Sequence, residues 1–505
     1  MLEILKQTKQ IVFLHGKREF SNLLYMRTNT SYLLFIILVS AMGGLLFGYD
    51  FVVIGGAKIF YEPFFELGDS ASLRGWAMSC ALVGCLIGAL LAGAWSDRYG
   101  RKKMLITAAM LFVASAIGTG AVSNFTWFVP FRLLGGFGIG IASNISPIYI
   151  AEVSPAQVRG RYVSLNQLAI VTGILLAQLT NWLIGKHFTP EHGVLTAAGI
   201  EWAWRWMFWA SLVPAMLFFV LSLIIPESPR WLAINQKVKE AEAVFSRIGG
   251  KQHAAKELQE IQNLPKEDNS KIQRFKDSRF HNPVRDSRSV ATGFKISLKK
   301  YRKVLIIGVV LAVFQQWCGI NVIFNYADEI FTAAGYSVSE VLMNIVVTGV
   351  TNVIFTFVAI YTVDRWGRKA LMFVGSAGLA LIYTAMGIGY YFNVSGLPML
   401  LLVVMAIACF AMSLGPTVWV ILSEIFPARI RGAAMAVSTF FLWAACFVLT
   451  YTFPLLNASL RASGTFWLYG GICLAGFLFI LFMLPETKGK SLEEIEKELG
   501  SEHNN

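Results

Sequence analysis

Charged side chains are scarce in this sequence of 505 residues, since 14% of the residues are Asp, Glu, Lys or Arg and 56% are hydrophobic. Soluble domains carry about 25% charged residues, so a water-soluble globular protein is a poor fit. Mean hydropathy is +0.59, and apolar runs recur along most of the chain. Each run has about the 20 residues that a membrane-spanning helix needs. The composition predicts a polytopic membrane protein.

Residues that form disulfides, bind metals or catalyse reactions are also few. The six cysteines all lie within apolar runs and none forms a Cys-x-x-Cys pair, so neither a disulfide framework nor a zinc site is indicated. The six histidines lie near the ends or in loops. No G-x-x-x-x-G-K-[ST] loop is present, so nucleotide binding is not indicated. We expect a protein that is not an enzyme and has no metal or cofactor.

Basic residues exceed acidic ones, giving a formal charge of +13, but they are not interleaved with exposed aromatics as in a nucleic-acid-binding surface. They lie in short loops between apolar runs, where positive charge reports membrane orientation. We therefore expect membrane lipid as a partner and no nucleic acid. Residues 1–30 carry scattered charge and no small-residue cleavage site, which argues against a cleaved signal peptide.

Twelve apolar windows predict an all-α membrane protein with twelve transmembrane helices. The basic loops fall on the same face as both termini, which makes that face cytoplasmic and the protein a multi-pass protein of the cell membrane, the inner membrane in a bacterium. The predicted spans are 31–57, 73–95, 104–123, 125–151, 162–184, 205–225, 303–331, 340–363, 370–392, 397–423, 433–455 and 464–484.

The two halves of the chain resemble each other. "SDRYGRKKM" (96–104) is echoed by "VDRWGRKAL" (363–371), and "AEVSPAQVRGR" (151–161) by "SEIFPARIRGA" (423–433). "IPESPRWL" is matched more loosely by "LPETKGKSL". Repeated halves are typical of transporters whose site lies between the repeats. The predicted organisation is a cytoplasmic segment 1–30, a six-helix bundle 31–225, a cytoplasmic linker with short helices 226–302, a second six-helix bundle 303–484 and a cytoplasmic tail 485–505.

Five motifs in the expected order carry a resemblance to a known family. "GRKKM", "PESPRWL", "QQWCGIN", "SLGPTVW" and "PETKGKSLEEIE" follow spans two and six, lie in spans seven and ten, and follow span twelve. Together they resemble the sugar porter family of the major facilitator superfamily. The resemblance implies two six-helix bundles that rock around a central monosaccharide site, and we expect the chain to act as a monomer.

Asp50 is the single charge in the first predicted span, and Arg132 is the single charge in the fourth. A carboxylate in hydrocarbon costs several kcal/mol unless it is protonated, paired or facing water. Each residue lies about eight positions from the outer flank of its span, near Lys58 and Asn124. At 1.5 Å per residue both are roughly 12 Å deep, so we expect a pair.

Such a pair has two interpretations. Arginine favours the charged carboxylate and burial favours the neutral one, so small movements can switch it; the alternative is a static structural ion pair. A chain with Asp in "GYD" and Arg in the fourth span resembles the proton symporters of the family, whereas facilitative members tend to have a neutral residue in place of the Asp. A facilitative uniporter and a sugar sensor with a transporter fold remain alternatives, although a sensor would be expected to have a longer cytoplasmic tail.

Span seven holds three amides, Gln315, Gln316 and Asn321, with Gly319 able to break the helix between them. Amides donate and accept hydrogen bonds, as sugar hydroxyls do, but amides in membranes also join helices. The resemblance implies that these three contact the sugar. It implies the same role for Gln167, Asn352 and Trp419, the last as an aromatic floor that follows a break at Gly415 and Pro416. The alternative for Trp419 is lipid-facing bulk.

Two departures from the family pattern bear on the identity of the sugar. Asn325-Tyr326 stands where many members have two tyrosines, and Leu442 precedes Trp443 where the family often has Gln or Asn. The span-eleven side of the site is therefore less polar. We expect a transporter of more than one aldose, with xylose the first choice and glucose next.

Opposite charges recur as sets in the basic loops of both halves. Solvated anchors would need no acids, so we interpret the sets as a cytoplasmic gate, and by the resemblance they link the two halves when the site opens outward. The residues are Asp97, Arg101, Glu152, Arg159, Asp364, Arg368, Glu424 and Arg431.

Overall fold

The computed structural model describes residues 29–68, 70–155, 158–188, 196–262, 301–426 and 431–486. Helix is the regular structure of this described part. Residues 1–28, 263–300 and 487–505, which belong to the predicted cytoplasmic segments, lie outside the described residues. The side chains of Asp364 and Arg431 also lie outside them.

Among the described residues, the first half of the chain has seven helices and the linker has two more. Their bounds are α1 Thr30–Phe64, α2 Ala71–Tyr99, α3 Arg101–Ala121, α4 Phe125–Val153, α5 Arg159–Phe188, α6 Ala197–Ala210, α7 Leu212–Ile224, α8 Pro229–Ile234 and α9 Val238–Gln262. The helices α8 and α9 lie in the predicted linker, and Gly250 is a non-helical residue inside α9.

The second half has the same kind of helices, with more interruptions. Their bounds are α10 Arg302–Trp317, α11 Ile320–Asn325, α12 Ala327–Ala333, α13 Val338–Trp366, α14 Arg368–Tyr391, α15 Leu397–Met412, α16 Leu414–Ile425 and α17 Arg431–Met483. Within the described residues, eleven helical segments are long and apolar enough to cross a membrane. The last of them, Ala434–Met483, contains a non-helical residue, Arg461.

Small polar side chains begin several of the long helices. The side chain of Asn29 accepts a hydrogen bond from the Tyr32 amide at the start of α1, and Ser70 does so for Leu73 at the start of α2. Asn124 accepts from Thr126 at the start of α4. Each cap satisfies one of the amides that a first helical turn leaves without a partner.

Two predicted breaks are found, one of them displaced. Gly319 adopts φ +88° and separates α10 from α11, as predicted. In span ten the break lies at Ser413, with φ −129° and ψ −90°, two residues before the predicted Gly415. The side chain of Pro416 therefore lies in the first turn of α16, where its missing N–H has no cost.

Helices of each half pack mainly on one another, and two long contacts join the halves. Within the first half, α2 packs against α4 and α1 against α5; across the halves, α17 packs against α2 and α13 against α5. The junctions α2–α3 and α13–α14 lie at one end of the bundle, which we name the basic end. The C-terminal turns of α1 lie at the opposite end.

Candidate functional site

Asp50 and Arg132 form a buried ion pair. The Arg132 Nη1 donates to Asp50 Oδ1 at 2.8 Å, and Nη2 donates to the Asp50 carbonyl at 3.2 Å. Only 7% of Asp50 and 1% of Arg132 is exposed. The predicted pair between the two lone charges of α1 and α4 is thus present. The pairing offsets the cost of placing each charge in a medium of low dielectric constant.

The second carboxylate oxygen of Asp50 has a different environment. Oδ2 is buried without a hydrogen-bond donor among the described residues. It faces α4 at Gly135, where a Cβ would lie 3.1 Å from it and 2.4 Å from Ser115 Oγ. The guanidinium of Arg132 also stacks over the Phe208 ring, at 5.2 Å from its centroid. One carboxylate oxygen is therefore held by arginine, and the other has no hydrogen-bond donor among the described residues.

A small cavity lies beside this pair and reaches the second half of the chain. Its volume is about 10 Å³, which is space for about one water molecule. Arg132 and Asn325 are its polar lining residues, and Phe51, Ile54 and Met78 are among the apolar ones. The cavity places the ion pair next to the end of α11.

The structure brings two of the predicted sugar-binding amides together. Asn321 Nδ2 donates to Gln316 Oε1 and also contacts Cys446 Sγ of α17 at 3.6 Å. Both amide side chains are half-buried. Because the helix breaks at Gly319 between them, the two amides face each other and keep polar atoms for a further partner.

Gln315 is oriented differently from its neighbour Gln316. Its Nε2 donates to the Leu414 and Gly415 carbonyls at 3.3 and 2.9 Å, which joins α10 to the first turn of α16. Its Oε1 is buried without a donor among the described residues. In this conformation Gln315 joins two helices, which is the alternative role considered for amides in membranes.

The other three predicted sugar contacts are not hydrogen-bonded to this amide pair. Gln167 is half-buried on α5, and Asn352 is buried on α13. Trp419 lies on α16 and is 37% exposed. A ring that faces an open central cavity and a ring that faces lipid would both have such exposure, so its role stays a prediction.

The two departures from the family pattern both lie at helix contacts. Asn325 ends α11 and is buried, while Tyr326 donates its hydroxyl to the Thr450 carbonyl at 2.7 Å. Leu442 is buried one helical turn from Cys446 on α17, whose sulfur contacts Asn321. Leu442 therefore lies on the side of α17 that approaches the amide pair.

At the basic end, charge pairs form inside each half. Arg101 donates to both carboxylate oxygens of Glu152 at 3.0 Å and pairs with Asp97 at 3.1 Å. In the second half Arg368 donates to Glu424 at 3.1 Å. Arg159 begins α5, and Arg431 begins α17. Part of each predicted set is thus paired within its own half, Arg101 with Asp97 and Glu152, and Arg368 with Glu424. The linking of the two halves by these sets stays a prediction.

Two glutamates at the basic end are missing from the sequence interpretation. Glu227 Oε1 accepts from the Arg101 and Lys102 amides at 2.8 and 3.1 Å, and Glu486 accepts from the Arg368 and Lys369 amides at 3.2 Å. Each carboxylate caps the first turn of a helix, where the dipole favours negative charge. The sequence feature that could have indicated these caps is the Pro-Glu pair common to "IPESPRWL" and "LPETKGKSL".

The same glycine geometry supports both caps. Gly100 and Gly367 have φ values of +96° and +89°, and ψ values of 163° and 159°. A Cβ would come within 2.1 Å of Glu227 Oε2 at Gly100 and within 2.9 Å of Glu486 Oε2 at Gly367. The positive φ requires glycine at both positions, and a side chain there would also displace the capping carboxylate. The internal repeat is therefore structural as well as sequential.

Comparisons with known proteins identify the family. The family model described as "Sugar (and other) transporter" matches residues 36–499. The chain belongs to the sugar transporter family. It is 38% identical over 499 residues to the D-xylose-proton symporter of Escherichia coli (strain K12), covering 93% of this chain and 96% of that protein. It is also 38% identical over 467 residues to the arabinose-proton symporter of Bacillus subtilis (strain 168), covering 92% and 95%.

A solved structure supports the fold of this family. A partially occluded inward open conformation of the xylose transporter XylE from E. coli superimposes with a TM-score of 0.77 at 35% identity, covering 91% of this chain and 100% of that one. The chain is therefore an integral membrane protein with the fold of a major facilitator transporter, and its family consists of transporters rather than enzymes.

Charges at the opposite end of this transporter were not included among the predicted site residues. Lys58 contacts Glu329 and lies 3.2 Å from Asp328 Oδ2; Glu62 and Arg74 complete the group. We name these five side chains the outer cluster. The sequence predicts that the first span ends near Lys58, whereas the helix α1 continues to Phe64 and Lys58 is 1% exposed. The available signal was two charges inside a predicted span, Asp328 and Glu329, and a third, Lys58, directly after another.

Proposed function

We propose that this protein imports a monosaccharide together with a proton by alternating access. The observation that carries the proposal is the buried Asp50–Arg132 pair, in which one carboxylate oxygen is held by arginine and the other has no described donor. The likeness to chains named as xylose-proton and arabinose-proton symporters supports it.

The proton acts on the charge balance of this pair. A proton on Asp50 Oδ2 neutralises the carboxylate and weakens the bond from Arg132 Nη1, because that bond is charge-assisted. Arg132 is then a buried charge without a charged partner, which is unfavourable. Movement of α1 relative to α4 relieves this by hydrating the arginine or by giving it another partner. The proton thus shifts the equilibrium between the arrangements of the first half before and after this movement.

The sugar binds between the halves, at the amides of span seven. Gln316 and Asn321 offer donors and acceptors to adjacent hydroxyls, and the neighbouring Leu442 and Cys446 of α17 provide an apolar wall. Gln167, Gln315, Asn352 and Trp419 complete the proposed site. Xylose is the first candidate and glucose the next, since an apolar wall discriminates weakly between them.

The membrane arrangement is part of the proposal. At about 1.5 Å per residue, the 50-residue segment that contains the break at Arg461 is long enough for two crossings, which gives twelve spans. The basic end faces the cytoplasm by the positive-inside rule, as do both termini. The charge sets of the two halves, which include Asp364 and Arg431, form the cytoplasmic gate. The protein acts as a monomer in the cell membrane, without a cofactor other than the coupling proton.

The test is uptake of labelled xylose, glucose, galactose and arabinose into vesicles that contain the purified protein, with and without a pH gradient. We expect accumulation of at least one sugar with the gradient, and only equilibration without it. Asp50→Asn should abolish accumulation and keep exchange of sugar across the membrane. A mutant that still concentrates sugar would exclude Asp50 as the coupling residue.

A facilitative uniporter is the alternative function. It predicts that the pH gradient changes nothing in the wild-type protein, and that Asp50→Asn transports as the wild type does. A sugar sensor predicts binding without transport of any of the four sugars.

A further inference from the structure

The outer cluster joins the two halves of the protein at the end opposite the basic loops. Lys58 belongs to α1 and Arg74 to α2, whereas Asp328 and Glu329 belong to the short helix α12. Tyr326, with φ −124° and ψ 28°, separates α12 from α11, so α12 is a distinct short helix of the second half. The cluster is therefore a contact between the first half and a short separate segment of the second.

Glu329 is the central residue of this contact. Its Oε1 accepts from Lys58 Nζ and lies 3.6 Å from Arg74 Nη1. Its Oε2 accepts from Asn457 Nδ2 of α17 at 3.1 Å. One carboxylate thus holds two cations of the first half and one amide of the second. Both of its oxygens are satisfied.

Lys58 is the residue that depends most on the contact. It is 1% exposed, and its ammonium lies 4.8 Å from the centroid of the Tyr326 ring. A buried ammonium is stable only while its partners remain in place. When α12 moves away and water enters, the separated charges are hydrated instead. The contact therefore has two favourable states, dry and closed or wet and open.

The backbone permits this contact by a close approach. A Cβ at Gly55 would lie 3.0 Å from the Phe324 carbonyl and 3.1 Å from that of Asn325. The helices α1 and α11 are therefore packed backbone to backbone just before α12 begins. Because Lys58 lies one turn beyond Gly55, this approach brings its ammonium to the carboxylates of α12.

The geometry points to Glu329 as a positioning residue of the transport cycle: through Lys58 and Arg74 it holds α12 against the first half and keeps the outer end closed. Release of this contact is then a step of outward opening. The inference rests on the proposed function, because it assigns the contact a place in alternating access. It differs from the proposed coupling site, since Asp50 and Arg132 are not members of the cluster.

The test measures the outer distance between the halves directly. Spin labels at Thr126 and Phe392, which are exposed at that end in different halves, report the distance by pulsed electron resonance. Glu329→Gln should shift a large part of the distribution to longer distances. Lys58→Met should do the same, and Lys58→Arg should restore the closed distance. Glu66→Gln removes an exposed carboxylate at the same end and should leave the distribution unchanged.

Transport kinetics provide the second measurement. Glu329→Gln should destabilise the state that is closed at the outer end, so the KM for external sugar should fall several-fold. The kcat should also fall several-fold, because the return of the transporter through that closed state becomes slower. Should Glu329→Gln fail to fold, Arg74→Gln tests the same contact with a smaller shift in the same direction. Distances equal to those of the wild type in Glu329→Gln, Lys58→Met and Arg74→Gln would overturn the inference. Sugar accumulation by the same proteins would still support the proposed function, whereas a distance shift in a protein that does not accumulate sugar would support the contact alone.

Discussion

At the scale of single residues, Gln316 and Asn321 offer the clearest test of the sugar site. Gln316→Ala removes the acceptor of Asn321 Nδ2 and one polar partner of the sugar. We expect sugar binding to weaken by about 1–3 kcal/mol, the cost of leaving a buried polar group without its partner. Isothermal titration with the purified protein measures it. Gln252→Ala, at an exposed glutamine of α9, is the matched control, and equal affinities in both variants would move the site elsewhere.

Leu442 tests what sets the choice of sugar. It is buried one turn from the sulfur that contacts Asn321, and Leu442→Gln adds an amide to that wall. A hexose carries a C6 hydroxymethyl group that an aldopentopyranose lacks, so the amide should favour the hexose by up to about 1–3 kcal/mol. Uptake ratios of glucose to xylose measure the effect, and Leu442→Met keeps the wall apolar as a control. An unchanged ratio in Leu442→Gln would show that this wall does not set selectivity.

How much a sequence reveals about single residues depends on how unusual their surroundings are. Asp50 and Arg132 each stand alone in an apolar run, where a charge needs a partner, and they pair as predicted. Lys58 lay at the predicted edge of its span and was taken for a flank, although the helix continues to Phe64. Its partners come from α12, about 270 residues later in the chain. A contact of that sequence separation has no local signal.

At the scale of helices, the paired caps Glu227 and Glu486 give a symmetric prediction. Each removes the cost of two unpaired amides at a helix start, so Glu227→Ala and Glu486→Ala should each lower stability by about 0.5–2 kcal/mol. Thermal unfolding in detergent measures it. Glu201→Ala removes a half-exposed partner of Arg205 and should cost about 0–1 kcal/mol. A loss confined to one of the two caps would show that the halves are not equivalent there.

The helices themselves were predictable from apolar length, because the bilayer requires about 20 residues for each crossing. Their interruptions were harder to place. Gly319 marks its break by its own backbone freedom, whereas the break at Ser413 precedes the predicted Gly415 and Pro416. Proline is tolerated in a first helical turn. A Gly-Pro pair therefore fits a helix start as well as a helix break, and the sequence alone does not distinguish them.

At the scale of the whole molecule, the two halves repeat their basic-end architecture but differ elsewhere. The caps, glycines and Arg–Glu pairs occur twice. The Asp50–Arg132 pair lies in the first half, and the sugar amides Gln316 and Asn321 in the second. We infer that coupling requires contact between the halves, because the proposed proton site lies in the first half and most of the proposed sugar contacts lie in the second. The cavity lined by Arg132 and Asn325 is one place where they meet.

This division leads to a quantitative prediction for the intact transporter. If one proton accompanies each sugar, an interior-negative potential of about 100 mV supplies about 2.3 kcal/mol, which corresponds to roughly 50-fold accumulation. A pH difference of one unit adds about 1.4 kcal/mol, or a further tenfold. Uptake of labelled xylose into vesicles tests the first value with an imposed potassium diffusion potential, and the second with an imposed pH difference. Asp50→Asn should reach a ratio of about one under every gradient, while Glu242→Gln, which neutralises an exposed carboxylate of α9, should accumulate as the wild type does. A wild-type ratio that stays near one would instead identify a uniporter, since no proton would then accompany the sugar.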